Sequence, residues 1–141
     1  MPLRVYDPIR RTKVPFQPVE PGRVGMYVCG MTVQGEPHLG HMLAALTGDM
    51  VRRYLEHSGY AVTLVQNFTD IDDKILARAA EEGLPYTAIA QRNIDLYLEQ
   101  ARALNIQDAT IFPRATAHIP EMLALIEALI ARGHAYDAED A

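Results

Sequence analysis

The 141-residue sequence predicts an α/β fold with a parallel βαβ core, an N-terminal hairpin and a helical C-terminal part, and three observations carry the prediction. The apolar run Met26-Tyr27-Val28 suits a buried strand, stops at Cys29, and crosses a turn punctuated by Gly30, Gly35 and Pro37. Leu39 to Leu55 then continues in helix-forming residues, and Ser58-Gly59 supplies a stop signal. Tyr60 to Gln66, rich in Val, Tyr and Thr, reads as a second strand. Strand, helix and strand in this order form a parallel crossover, whose ligands sit beyond the carboxyl ends of the strands. Cys29 and the run Asn67 to Asp70 both fall at that end.

The remaining elements follow in chain order. Leu3 to Asp7 and Thr12 to Phe16 alternate apolar and polar residues around Pro8 and Arg10-Arg11, which predicts a small hairpin or a pair of edge strands. The two arginines suit a solvated turn, with a phosphate contact as the alternative. Gln17 to Gly22 is a proline-containing connection. Thr69 is placed as the N-cap of a helix running from Ile71 to about Glu82 and ended by Gly83; its acidic first turn favours the positive end of the helix dipole. Magnesium at Asp70 or Asp72 is the alternative use of those acids. Pro85 starts a helix over Tyr86 to Leu104, with Ile89, Ile94, Leu96, Leu98, Ala101 and Leu104 offered to a core. Asn105 to Phe112 reads as a loop, Thr116 or a neighbour begins a helix to Arg132 capped at Gly133, and His134-Ala135-Tyr136 reads as the start of another strand.

Composition narrows the function classes. An apolar fraction of 49% describes a globular chain with a core rather than a disordered one. No run approaches the roughly 18 apolar residues of a membrane span, and the N-terminus lacks a basic-then-apolar signal pattern, so a cytoplasmic protein without membrane contact is expected. A single cysteine cannot form an internal disulfide, leaving a free, metal-bound or catalytic thiol. A net charge of −5 offers no general attraction for nucleic acid, so any such contact is local.

The candidate chemistry centres on His38-Leu39-Gly40-His41 at the start of the first helix. A helix N-terminus presents unpaired N–H groups and the positive dipole end, and two histidines three residues apart add donors on one face. Gly40 would let a nucleotide lie against the backbone, while Leu39 turns into the core. The set suits ATP, with His38 and His41 stabilising phosphoryl charge as it grows in the transition state. The competing reading has one histidine capping the helix and the other packed beside it. Cys29 is likewise either a small buried hydrophobe or a ligand.

Four motifs in order, Cys29-Gly30-x-Thr32-Val33, His38-Leu39-Gly40-His41, Asn67-Phe68-Thr69-Asp70-Ile71-Asp72-Asp73-Lys74 and Pro113-Arg114-Ala115-Thr116-Ala117-His118-Ile119, resemble the N-terminal half of the catalytic domain of cysteinyl-tRNA synthetases. The resemblance spans about Leu3 to Tyr136. It departs from the usual pattern at Leu39, where Ile is common, and at Gln34-Gly35, where Tyr-Asp is usual. It implies an incomplete Rossmann-like nucleotide-binding fold, with residues 1–83 as its first half and 84–141 as a helical segment leading to the next strand. It also implies ATP-dependent activation of cysteine to cysteinyl-adenylate and transfer to tRNA(Cys).

By that resemblance His38, Gly40 and His41 bind ATP with its magnesium, Cys29, Gly30 and Thr69 line the cysteine pocket, and Cys29 is one zinc ligand. The other zinc ligands and the family's second ATP signature, Lys-Met-Ser-Lys-Ser, do not occur in the sequence, so an N-terminal fragment of low activity is expected. That fragment is expected to bind zinc weakly or not at all, and its unpaired sheet edge predicts self-association or a partly loosened C-terminal strand. Arg114, Thr116 and His118 belong to a family signature; their alternative role is to fix the loop against a helix end. Two rival functions remain: the related ligase that joins cysteine to an amino sugar in mycothiol synthesis, and a non-catalytic nucleotide-binding or interaction module.

Overall fold

A computed structural model describes residues 3–138. Strands β1 (Arg4–Asp7) and β2 (Thr12–Pro15) form the expected antiparallel hairpin, pairing Arg4 with Pro15 and Asp7 with Thr12. Its turn is held by Asp7, whose Oδ1 accepts from the N–H groups of Ile9 and Arg10 while Oδ2 pairs with the Arg10 guanidinium at 2.9 Å. These donors, the Arg10 backbone first, lower the Asp7 carboxyl below its ordinary range. Arg10 is thereby occupied in the turn.

The centre is a parallel pair, β3 (Arg23–Val28) and β4 (Ala61–Gln66), joined by helix α1 (Leu39–His57). Helices α2 (Asp73–Glu82) and α3 (Tyr86–Ala103) follow, then a 3₁₀ turn at Ala115–His118 and α4 (Ile119–Ala131). Along β3 and β4 one side buries Val24 and Leu64 and carries Gln66, whose Nε2 donates to the Tyr97 hydroxyl of α3 at 2.6 Å. Val28 on the same side touches Gly48 of α1; a Cβ at that glycine would stand 3.0 Å from Val28 Cγ2. The core continues through Met31, Val33, Met42, Phe68, Ile75, Ile89, Ile94 and Tyr97, which joins the carboxyl ends of the strands to all of the first three helices.

Several expectations are corrected. Tyr27 is 63% exposed, because strand residues alternate sides and no described element covers the side it faces. Leu39 is 83% exposed, and Met42 makes the inward contact of the first helical turn. Thr69 does not cap α2. Its N–H donates to Met31 O and its carbonyl accepts from Val33 N, so it is held in an extended ladder; the N-cap is Asp72, whose Oδ1 accepts from Lys74 N. Leu104 lies outside the α3 face expected for it, being 52% exposed, whereas Asn93 and Tyr97 are buried there.

The segment read as a loop also contributes to the sheet. Ile111 N donates to Leu64 O and Gln66 N to Ile111 O, and Phe68 and Ala115 continue the pattern with Pro113 and Phe68, so residues 111–115 line the second edge of β4. His134 to Tyr136 form no strand; His134 N instead closes the end of α4 by donating to Leu129 O, with Gly133 at φ 73°. Among the described residues no helix is long and apolar enough to cross a membrane.

An ion-paired clamp joins α2 to α3. Arg92 reaches Glu82 with both terminal nitrogens, at 2.8 and 3.1 Å, and Arg78 Nε adds a third contact at 2.7 Å. Hydrogen bonding from Arg92, then from Arg78, lowers the Glu82 carboxyl to about 2.

Candidate active site

The ladder between β3 and β4 breaks at Cys29-Gly30 and resumes where Thr32 bridges Thr69. At the break the two chains approach so closely that a Cβ on Gly30 would lie 1.5 Å from the carbonyl oxygen of Asn67. Gly30 N–H donates to Asn67 Oδ1 at 2.9 Å, and Asn67 Nδ2 lies 3.4 Å from Thr69 Oγ1. Gly30 and Thr69, two residues expected to line one pocket, are therefore connected through a side chain that sequence reasoning assigned no role. Cys29, beside them, is exposed with a free thiol.

From this corner the chain runs through fully buried Val33, whose carbonyl accepts from Asn93 Nδ2 at 2.9 Å, to the start of α1. There the two histidines form a reciprocal capping box. His38 Nδ1 accepts from Gly40 N at 3.1 Å, and His41 Nδ1 accepts from the backbone N–H of His38 at 3.2 Å. The two rings stack with centroids 3.7 Å apart. A ring nitrogen that accepts carries no proton, so each neutral imidazole holds its hydrogen on Nε2, on the ring edge away from the cap. Both histidines, rather than one, take part in the cap, and each retains one N–H donor.

Gly40 has a steric role as well. A Cβ there would meet His38 Cε1 at 3.0 Å and Nδ1 at 3.1 Å, so the glycine leaves room for the capping ring.

Burial, and secondarily the neighbouring His38, lowers the His41 pKa below the ordinary 6.5. An unfolded histidine takes up a proton near 6.5 while the folded one still resists, so the unfolded state binds more protons in the interval below 6.5. The stabilisation is complete above about pH 6.5 and is lost as pH falls through the lower folded value. A melting temperature that declines from pH 7 to 5 is expected, with a shallower decline in His41→Gln. An equal slope in the two proteins would remove His41 from the linkage.

The other motif residues have structural partners. Asp70 is buried and accepts from Thr116 N at 2.9 Å and Thr116 Oγ1 at 2.6 Å, which ties the 3₁₀ turn to the end of β4. Asp72 is engaged as a cap. Arg114 donates to Gln91 at 2.6 Å, and His118 stands 4.0 Å from Glu121. Among the described residues no group of three or more His, Cys, Asp or Glu side chains could hold a metal ion.

The parallel crossover thus brings a glycine-crossed corner and a histidine-capped helix together at its carboxyl end. The chain belongs to the class I tRNA synthetase (C) catalytic domain family, whose model matches residues 15–141. Its fold superimposes on methionyl-tRNA synthetase of Mycobacterium tuberculosis in complex with methionyl-adenylate with a TM-score of 0.69 and 27% identity, over 77% of this chain and 22% of that one. Cysteine–tRNA ligase of Pyrococcus horikoshii is 46% identical over 140 residues, covering 99% of this chain and 29% of the relative. The ligase of Alkalilimnicola ehrlichii is 51% identical over 138 residues, covering 98% and 30% respectively. The chain thus spans 29–30% of the length of these curated relatives.

Proposed function

We propose that this chain is the part of a cysteine–tRNA ligase that carries the cysteine corner and the phosphate-binding histidines. The observation that carries the reading is identity of 46–51% over nearly the whole chain to ligases of that name. The capped start of α1, with two Nε2–H donors left over, supplies a physical basis for ATP binding.

ATP, with magnesium on its phosphates, lies against the N-terminus of α1 at His38, Gly40 and His41. Cysteine occupies the corner formed by Cys29, Gly30 and Thr69. Its carboxylate attacks the α-phosphorus in line, the bond to the bridging oxygen breaks, and pyrophosphate leaves with the electron pair to give cysteinyl-adenylate. The terminal hydroxyl of tRNA(Cys) then takes the cysteinyl group and releases AMP. His38 and His41 donate hydrogen bonds to phosphate oxygens as negative charge accumulates on them, and they form no covalent bond. A cytoplasmic location accords with this reaction.

Cys29 is the one residue of this chain proposed as a metal ligand. Zinc sites use about three or four protein donors, so a lone thiolate does not fit zinc as a resident ion of these residues. The chain by itself is expected to bind zinc weakly or not at all. ATP should bind in about the millimolar range, corresponding to roughly 4 kcal/mol, because its donors are contiguous in sequence.

Self-association is also expected, since β3 pairs only with β4 among the described residues and apolar Met122, Leu125, Ile126 and Leu129 of α4 are exposed. Titration of the purified chain with ATP and with zinc, followed by calorimetry and sedimentation, tests these statements together. Tight stoichiometric zinc on a monomer, or no response of the α1 N-terminus to ATP, would overturn them.

A further inference from the structure

We propose that Asn67 is the positioning residue of the cysteine corner, resting on the reading above, and that it sets both the place of Gly30 and the direction of the Thr69 hydroxyl. The break in the β3–β4 ladder leaves the Gly30 N–H without the strand carbonyl that would otherwise receive it, and Asn67 Oδ1 takes that place at 2.9 Å. Because a backbone N–H only donates, the amide has one orientation: oxygen toward Gly30, nitrogen toward Thr69. Asn67 Nδ2 then donates to Thr69 Oγ1 at 3.4 Å. With its oxygen receiving, the Thr69 hydroxyl keeps its own proton for a group in the corner.

Main-chain geometry reinforces the anchor. The Asn67 carbonyl fills the space where a Gly30 side chain would be, and Thr69 N–H to Met31 O and Val33 N–H to Thr69 O close the ladder just beyond. Gly30 is therefore gripped from two sides by one residue, 37 positions away in sequence. Cys29 inherits its position from that grip. Both ends of the amide engage protein partners, which makes Asn67 a residue that acts through Gly30 and Thr69 and need not touch cysteine.

The test compares the 141-residue wild type with Asn67→Asp and Asn67→Leu. Aspartate keeps the acceptor for Gly30 but removes the donor to Thr69 and turns that hydroxyl toward itself; leucine removes both. Gly30 amide exchange is expected to accelerate about tenfold in the leucine variant, the loss of one ordinary hydrogen bond, and to change little in the aspartate variant. Titration of ¹⁵N-labelled chain with L-cysteine, read at Gly30 and Thr69, should weaken about tenfold or more in both variants. ATP titration read at Gly40 and His41 should not move.

Unchanged Gly30 exchange in Asn67→Leu overturns the anchor, and cysteine binding that survives in Asn67→Asp overturns the hydroxyl assignment. Parallel loss of the ATP response would identify a general folding defect and overturn a specific positioning role. A wild-type chain whose corner ignores L-cysteine contradicts the cysteine reading, while the exchange comparison still decides the anchor.

Discussion

Gly30→Ala is expected to cost more stability than any other glycine substitution in the chain, at least about 3 kcal/mol, and to abolish cysteine binding at the corner. Overpacking a core with extra methyl groups costs about 1–3 kcal/mol when flexible side chains can move aside. Here the obstacle is main chain: the new Cβ would stand 1.5 Å from Asn67 O and 2.7 Å from Asn67 C. Relief requires the two crossing segments to separate, which takes with it the Gly30–Asn67 hydrogen bond and the bridge between Thr32 and Thr69.

Two comparisons calibrate the prediction. Gly40→Ala meets only the His38 ring, at 3.0 Å, and should cost about 1 kcal/mol through the displaced cap. Gly25→Ala has nothing within 4 Å of its Cβ and should be close to neutral. Urea melts of the three variants decide the order. A Gly30→Ala protein as stable as Gly25→Ala would show that the crossing is looser than described.

The difference between Gly30 and Asn67 marks what is legible in the sequence. Gly30 was legible as a turn and pocket residue, but nothing local shows that another segment crosses it so closely, or names the chain that does. Alternation and stop signals locate β3, α1, β4 and α3 because those signals are properties of consecutive residues. The edge formed by residues 111–115 was hidden for the opposite reason: its hydrogen bonds come from Leu64, Gln66 and Phe68, and Pro113 makes the run look like a connection.

Local competition explains two further differences. Thr69 and Asp72 are both good N-caps, and the choice fell to Asp72 because the ladder with Met31 and Val33 already holds Thr69 extended. Leu39 and Met42 both offer an apolar side chain to the first turn of α1, and only the direction in which the helix enters selects Met42. The histidine pair was visible as a phosphate site or as a cap. That it forms a reciprocal box depends on ring orientation, which spacing does not specify.

That reciprocal box makes the last prediction separable from folding. His38→Ala and His41→Ala each remove a cap as well as a donor, so a loss of activity would mix two effects, the capping part being about 0.5–2 kcal/mol. The double variant His38→Asn, His41→Gln separates the cap from the imidazole. Asparagine at the N-cap accepts from the first-turn N–H groups, and glutamine three residues later reaches back to the N-cap N–H, rebuilding the box without imidazole. Its unfolding free energy is expected within about 1 kcal/mol of wild type, well above that of the double alanine variant. Cysteine-dependent pyrophosphate exchange, measured in a full-length ligase carrying this segment, should nevertheless fall by at least 10²–10³, about the value of one well-placed donor to developing charge. Both double variants should then be similarly inactive while differing in stability. Exchange restored by the Asn/Gln pair would show that the reaction does not require the imidazole Nε2–H groups, the cap or the amide N–H donors of the pair being sufficient.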